Sequence, residues 1–370
     1  MHASVARKPK ARLITVVPPA FAGSLDPPTR QSGASCPPSE LLTTVADLGE
    51  RALIARITAR LPTRPWVLVG PGDDAAVVEP ERGAYDVLTT DVQVEGVHFD
   101  RGFVPPDAIG HRALAVNLSD LAAMGARPRS ALLSLVLPGA LDVAVVDGVL
   151  DGMLALADRY HLAVIGGNIS RSPGPLVIDV TATGSVRPRR VLTRAGARPG
   201  DSVFVTGTLG DAMVGLGSLQ EKCAGFESQK DRYLRPEPRV RAGMLLGRNR
   251  AATSCMDLSD GLADGLRQVA EASGVGISID ATALPVSNGV QAWHVGHGSD
   301  PVSGAIQGGD DYELLFTARG THQGRLKSLQ KGQGDLLVTK IGVVTRDTRI
   351  VVRSDAGERE LTGGYEHFRN

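Results

Sequence analysis

The chain has 370 residues, 40 basic against 40 acidic, no formal net charge and 42% hydrophobic residues. That length and balance describe a globular protein of about two domains, and they remove the electrostatic case for a nucleic acid or an anionic membrane surface as partner. No apolar run reaches the roughly 18 residues a membrane span needs, and Cys36, Cys223 and Cys255 are too few and too scattered for a disulfide framework or a zinc motif. A reducing cytoplasm is the compartment that fits.

Residues 1 to 40 hold seven of the 23 prolines, five basic residues and two acidic ones, with no periodic apolar pattern. Residues 1–39 are therefore expected to be a disordered tail. Over 39–61 the apolar positions Leu41, Leu42, Val45, Leu48, Leu53, Ile54 and Ile57 read as one or two amphipathic helices. Strands over 67–69 and 75–78 flank a Gly70-Pro71-Gly72-Asp73-Asp74 turn, and 85–90 is the next strand. A helix over 106–124 with a break near Asn117 is followed by a strand over 132–137 and a helix over 141–160. A strand over 163–165 is expected to end in Gly166-Gly167, and 176–182 is a further strand. The Arg/Pro-rich stretch 187–199 separates two domains, 40–186 and 187–370. Beyond it come a strand over 202–207 running into a Gly-rich turn, a helix over 263–272, and strands over 276–280 and 313–317. The mixture predicts an α/β (α+β) architecture in both halves.

Acidic residues arrive in five short clusters at the ends of apolar runs, with almost no basic residue beside them. These are Asp73-Asp74, Asp91 after Thr89-Thr90, Asp120 after Asn117-Leu118-Ser119, Asp257-Leu258-Ser259-Asp260, and Asp310-Asp311-Tyr312-Glu313. A carboxylate in such a position needs another cation to offset its desolvation. Mg2+ is hard, prefers carboxylate and water oxygens, and usually bridges to phosphates. Several Mg2+ ions and a polyphosphate are the expectation. Each cluster alone also suits a plainer role. Gly-Asp turns are common, and Asp120 and Asp260, each after a Ser and before helix-forming residues, suit helix N-caps, a place that also attracts phosphate. Gly166-Gly167-Asn168 would offer backbone N–H groups to a phosphate at a strand end. The echo between Asn117-Leu118-Ser119-Asp120 and Asp257-Leu258-Ser259-Asp260 hints at two related domains. There is no Gly-Lys dipeptide, no His-Arg-Asp, no Asp-Phe-Gly and no Gly-x-Ser-x-Gly, so ATP would be handled on a scaffold other than the P-loop or protein-kinase ones.

Taken in order, the motifs resemble the thiamine-monophosphate kinase family of the aminoimidazole-ribonucleotide-synthetase-like superfamily. The stretches that carry the resemblance are Gly49-Glu50 with Leu53-Ile54-Ala55-Arg56, 70–75, Thr89-Thr90-Asp91 with Val94-Glu95-Gly96-Val97-His98-Phe99, and 113–126. Leu192-Thr193-Arg194-Ala195-Gly196-Ala197, 257–262, 308–313 and the terminal Gly364-Tyr365-Glu366-His367-Phe368 complete them. The resemblance implies ATP-dependent phosphorylation of thiamine phosphate to thiamine diphosphate, in a homodimer whose N-terminal sheets join into a barrel, with ATP and Mg2+ between the two domains. It makes Asp74, Thr89, Thr90, Asp91, Asp120, Asn168, Asp257 and Asp260 metal ligands, and Gly167, Asn168, Arg194 and Ser259 ATP contacts. His98, Asp310 and an aromatic near the C-terminus, Tyr365 or Phe368, become thiamine-phosphate contacts. Asn168 stands where the family usually has Asp, and Asp310 where it often has Glu.

The chemistry this implies needs no catalytic acid or base. A phosphate monoester has a second pKa near ~6, so the acceptor is mostly a dianion at neutral pH. Repulsion between that dianion and ATP is the obstacle, and metal ions are what offset it in a direct in-line transfer. Two other readings stand beside this one: another ATP-using synthetase of the superfamily (aminoimidazole ribonucleotide or selenophosphate), and a non-catalytic nucleotide-binding protein.

Overall fold

The computed structural model describes residues 43–322, 324–326, 336–355 and 357–361. The expected tail over 1–39 and the terminal Tyr365 and Phe368 lie outside them. Thr44 caps α1 (Val45–Leu48) in a capping box with Asp47, and α2 (Glu50–Thr58) follows through Gly49 at φ 78°. Leu53 and Ile57, one turn apart, put the inner stripe of α2 into the core. The short strands β1 (Val67–Val69) and β2 (Val77–Val78) pair antiparallel and hold the 70–76 loop between them.

The N-terminal sheet contains β3 (Tyr85–Val94), β4 (Arg127–Pro138), β5 (Ala163–Ser172) and β6 (Val177–Val186) in the order β3-β6-β4-β5; only the β4–β5 pair is parallel. Helices α3 (Pro106–Ala123) and α4 (Val143–Arg159) both lie against it or its flanks. They approach each other through glycine. A Cβ on Gly110 would lie 1.7 Å from the Val149 carbonyl oxygen, and one on Gly152 would lie 1.7 Å from that of Asp107. The inward row of β4, Ala131, Leu133, Leu135 and Leu137, is buried, as period-two alternation requires. The opposite face is open: Leu88 is 70% exposed, Val92 47% and Leu132 41%.

The C-terminal part is a mixed seven-stranded sheet with helices. In chain order it comprises β7 (Ser202–Thr206), α5 (Asp211–Gln220), α6 (Glu227–Leu234), α7 (Val240–Asn249), β8 (Ser254–Asp257), α8 (Leu262–Ser273) and β9 (Gly276–Asp280). Next come α9 (Asn288–Gly296), α10 (Pro301–Gln307), β10 (Leu314–Ala318), β11 (Val338–Thr345), β12 (Ile350–Ser354) and β13 (Gly357–Glu360). The strand order is β13-β12-β9-β11-β7-β10-β8, with β12 and β9 parallel and the other pairs antiparallel. One apolar core runs from the N-terminal sheet through α3 into α7, β8 and Phe316, while α8 seals a second core on the other side of the sheet with Leu262, Leu266 and Val269. At the junction α7 meets α3 so closely that a Cβ on Gly243 would fall 1.9 Å from the Ala122 carbonyl oxygen. No helix among the described residues is long and apolar enough to cross a membrane.

Four local expectations are corrected. Helix α3 runs unbroken through Asn117, because the buried Asn117 side-chain amide donates to the Ala113 carbonyl (3.2 Å) one turn back, leaving the ladder intact. Asp120 is in the last turn of α3, and Asp260 precedes Gly261, the N-cap of α8, so neither is an N-cap. Gly166-Gly167-Asn168 lies in mid-strand, paired to Leu132, Leu133 and Ser134 of β4, and not at a strand end. Gly167 is needed there, since a Cβ would sit 1.8 Å from the Leu133 carbonyl oxygen. Thr89, Thr90 and Asp91 likewise stand in the middle of a ten-residue strand.

Candidate active site

Three acidic side chains, Asp91, Asp120 and Asp257, come near one another where β3, α3 and β8 meet, and Asp179 of β6 lies on the other face of the sheet. On β3, Thr89 and Asp91 share one face and Thr90 the other, as a pleated strand dictates. The Thr89 hydroxyl donates to Asp120 Oδ2 at the end of α3. Ser119, one residue earlier on α3, donates to Asp257 Oδ2 at the end of β8 (2.7 Å), tying the two sheets together at this point. Thr90 bonds Asp179 (3.1 Å) and Thr181 (3.0 Å) on β6.

The electrostatics are those of carboxylates crowded together. Burial raises the Asp91 carboxyl to about 6, and the nearby charges of Asp120 and Asp179 push it the same way. Burial and Asp120 raise Asp257 to about 7. Asp120 is raised by burial against the opposing pull of the Thr89 hydroxyl and of Arg194. Arg194 is thus the guanidinium within electrostatic reach of Asp120 and Asp257; it bonds Gln268 of α8 through Nη1.

Such a set fits a hard cation. Asp91 Oδ2 is buried without a hydrogen-bond partner, and the donors are all carboxylate or hydroxyl oxygens. Among the described residues no three His, Cys, Asp or Glu side chains close around one point. That is compatible with Mg2+, which takes one or two carboxylates and completes its octahedron with water and substrate phosphate oxygens.

Asp74 and Asn168 stand elsewhere. Both line a cavity of about 700 Å3 between α2, the 70–76 loop and the outer side of β4 and β5, together with Gly167 and Thr181. Asp74 is exposed in a tight turn in which its N–H donates to Asp73 Oδ1 (2.9 Å). The Thr90–Thr181 bond links this cavity to β3.

A third group surrounds Asp310. The Asp310 N–H donates to the Ser259 carbonyl (2.7 Å), and that of Tyr312 to Leu258 (2.9 Å), so the 308–313 loop is laced to the segment after β8. Asp310 and Tyr312 have φ of 65° and 51°, a left-handed backbone uncommon outside glycine. The Asp310 carboxylate pairs with Arg112 of α3 (2.7 Å) and accepts from the Tyr312 hydroxyl (3.0 Å). Arg112 has a side chain only 3% exposed, donates to the Tyr233 carbonyl (2.7 Å), and lies 4.5 Å from the Tyr233 ring centroid. The Tyr233 hydroxyl donates to the His98 carbonyl (3.4 Å), and His98 Nδ1 accepts from the Val94 N–H (3.1 Å). His98 and Asp310 are therefore the two ends of one packed chain, His98–Tyr233–Arg112–Asp310.

This loop corrects the expectation that the acidic clusters lack basic partners. Besides Arg112 on Asp310, Glu313 is fully buried and held by Arg232 (2.6 Å), Arg239 (2.6 Å to Oε2) and the Thr206 hydroxyl (2.6 Å). These cations come from α3, from α6 and from the residue that precedes α7, all remote in sequence. Arg112 was not among the expected residues. Its signal was present all the same: it is the one Lys, Arg, Asp or Glu in α3 between Asp107 and Asp120, in a mostly apolar run.

The order of domains and their junction define a protein class. The model of the AIR synthase related protein N-terminal domain matches residues 72–186, and that of the AIR synthase related protein C-terminal domain matches 198–355. This is a two-domain AIR-synthase-like α/β fold with mixed sheets. The thiamine-monophosphate kinase of Bacillus subtilis (strain 168) is 36% identical over 332 residues, spanning 87% of this chain and 100% of its own length. The structure of thiamine-monophosphate kinase from Stenotrophomonas maltophilia K279a superposes with a TM-score of 0.74 at 40% identity, covering 82% of this chain and 96% of that one. AaThiL complexed with AMPPCP and TMP gives a TM-score of 0.69 at 36% identity, covering 87% and 98%. The chain belongs to the thiamine-monophosphate kinase family.

Proposed function

We propose that this chain transfers the γ-phosphoryl group of ATP to the phosphate of thiamine phosphate, releasing ADP and thiamine diphosphate. The observation that carries it is the group Thr89, Asp91, Asp120 and Asp257 at the junction of the two domains, with a buried, unpartnered Asp91 oxygen and carboxyls held far above their ordinary range. A site of clustered acids with Arg194 at its edge suits a polyphosphate that arrives with metal ions between it and the carboxylates, and repels a bare polyphosphate. The relative complexed with AMPPCP, an ATP analogue, and TMP supports both substrates.

Asp91, Asp120 and Asp257, with Thr89 beside them, would hold Mg2+, with Asp260 close by in sequence, and Thr90, Asp74 and Asn168 would contribute from the other face of the sheet and the cavity wall. When bound, Mg2+ supplies screening of the repulsion between the two substrates and of the charge on the transferring group. Two unit charges 4 Å apart repel by about 4 kcal/mol at an effective dielectric near 20, the size of the obstacle for each such pair. Arg194 adds a fixed positive fork for ATP, and Ser259, Gly167 and Asn168 complete its contacts. The acceptor carries its own nucleophilic dianion, so no side chain has to remove a proton, and the transfer is direct and in line. The acceptor's thiazolium is a permanent cation, and Asp310, whose carboxylate is shared with Arg112, is the acid this reading places beside it. His98 faces the same packed chain, and Tyr365 or Phe368 is assigned to cover the ring from the terminus.

The same proposal divides the chain into 1–39 as a tail, 40–186 as the nucleotide-binding and dimerisation domain, and 187–370 as the second domain, in a cytoplasmic enzyme. The open face of the N-terminal sheet, carrying Leu88, Val92 and Leu132, supports a homodimer in which two such sheets join as a barrel. The test is turnover of Asp120→Asn and Asp257→Asn. Loss of about two or more orders of magnitude in kcat is expected for each; wild-type turnover in both would refute the reading.

A further inference from the structure

An arginine-lined cleft lies apart from the Asp91, Asp120 and Asp257 group. It has a volume of about 590 Å3 and is walled by Arg127 of β4, Arg187 and Arg190 of the segment between the domains, and Arg241 and Arg248 of α7. Five arginines and one carboxylate, Glu81, line it, and Glu81 is already bonded to Arg127 and the Ser185 hydroxyl (both 2.5 Å). Arg187, Arg190, Arg241 and Arg248 make no ion pair or side-chain hydrogen bond among the described residues. In a chain with as many acids as bases, this is a local concentration of charge and not a product of composition.

The backbone of one wall is held by close packing. Pro188 opens a short 3-10 turn, Pro188–Arg190, that is wedged between two helices. A Cβ on Gly247 of α7 would lie 2.3 Å from the Arg190 carbonyl oxygen, and one on Gly125, after α3, 3.1 Å from it. The backbone that carries Arg190 is thus fixed by close packing before any ligand arrives. On α7, Arg241, Met244, Leu245 and Arg248 fall at i, i+3, i+4 and i+7, so one helix face presents two cations about 10 Å apart at a rise of ~1.5 Å per residue. An apolar floor of Met244 and Leu245 lies between them.

We infer that this cleft binds an anion of two or more linked phosphates, at a site distinct from the acid cluster. Guanidiniums on opposing walls suit phosphate oxygens, which they engage by forked, charge-assisted hydrogen bonds. A single orthophosphate would leave most of them unpaired, whereas an oligophosphate matches their spread. The volume is that of a small-molecule site, of about 300–1,000 Å3, and is too small for a nucleic-acid duplex. The floor would take an attached ring, so ATP and thiamine diphosphate are two sources of the same chemistry.

Calorimetric titration of the full-length protein with sodium tripolyphosphate in EDTA reads this cleft apart from any Mg2+-dependent site. Wild type is expected to bind, and Arg241→Gln/Arg248→Gln to bind about tenfold or more weakly while keeping its thermal midpoint and kcat. Arg190→Gln gives the same reading from the other wall if the double variant misfolds. ATP and thiamine diphosphate, titrated in the same buffer, identify the source by which of them binds more tightly than tripolyphosphate and loses that binding in the variants. Absence of binding by wild type, or binding that all these substitutions leave unchanged, overturns the inference, and the transferase reading stands or falls separately by its turnover.

Discussion

Substituting Asp91 by Asn removes a charge that the fold holds at a disadvantage while keeping the side chain's size and one oxygen. The Asp91 carboxyl rises from 3.8 to about 6, chiefly through burial and then through Asp120 and Asp179. A shift of roughly two units corresponds to about 3 kcal/mol of unfavourable ionisation in the folded chain. Because the folded state binds this proton more tightly than the unfolded one, stability falls as pH rises from about 4 to about 6 and is level above that. Asp91→Asn should therefore match wild type near pH 4 and exceed it at pH 7.5 in EDTA, by up to about 3 kcal/mol. The new amide can also donate to a neighbouring carboxylate. Urea unfolding at several pH values, with circular dichroism as the readout, measures the difference. Mg2+ should then stabilise wild type more than the variant, since binding to the folded state alone adds to its stability. A variant less stable than wild type at pH 7.5 in EDTA, or a gap that does not change with pH, would refute the argument.

Three further outcomes are expected. Arg112→Lys keeps a charge but loses the fork on Asp310 and the Tyr233 carbonyl, so it should raise KM for thiamine phosphate about tenfold while leaving KM for ATP near wild type; steady-state kinetics with each substrate varied decides. Asn168→Asp restores a full charge to the cavity wall that also carries Asp74, and should lower the half-saturating Mg2+ concentration; an unchanged Mg2+ titration would remove position 168 from the ligands. Leu88→Asp places a charge on the open sheet face and should shift the protein toward monomer in analytical ultracentrifugation; an unaltered sedimentation profile would rule that face out as the interface.

Much of this arrangement was legible in the sequence because its signals are local. Asp91, Asp120 and Asp257 stand out as acids in apolar runs, and the strand expected over 132–137 falls within β4, whose inward row includes Leu133, Leu135 and Leu137. What escaped depends on distance along the chain. Arg112, Arg232 and Arg239 neutralise Asp310 and Glu313 from positions about 75 to 200 residues away in sequence, and no local rule connects them. Gly166-Gly167 looked like a strand end because glycine usually marks turns. Here it serves close packing against β4, a tertiary demand that overrides local preference.

The most direct measurement is phosphorus NMR of the purified protein mixed with ATP, MgCl2 and thiamine phosphate. The account predicts that the thiamine phosphate singlet gives way to the two coupled resonances of thiamine diphosphate, one for each ATP converted to ADP, with no matching release of inorganic phosphate. ATP cleaved to inorganic phosphate without thiamine diphosphate, or both substrates left intact, would contradict it.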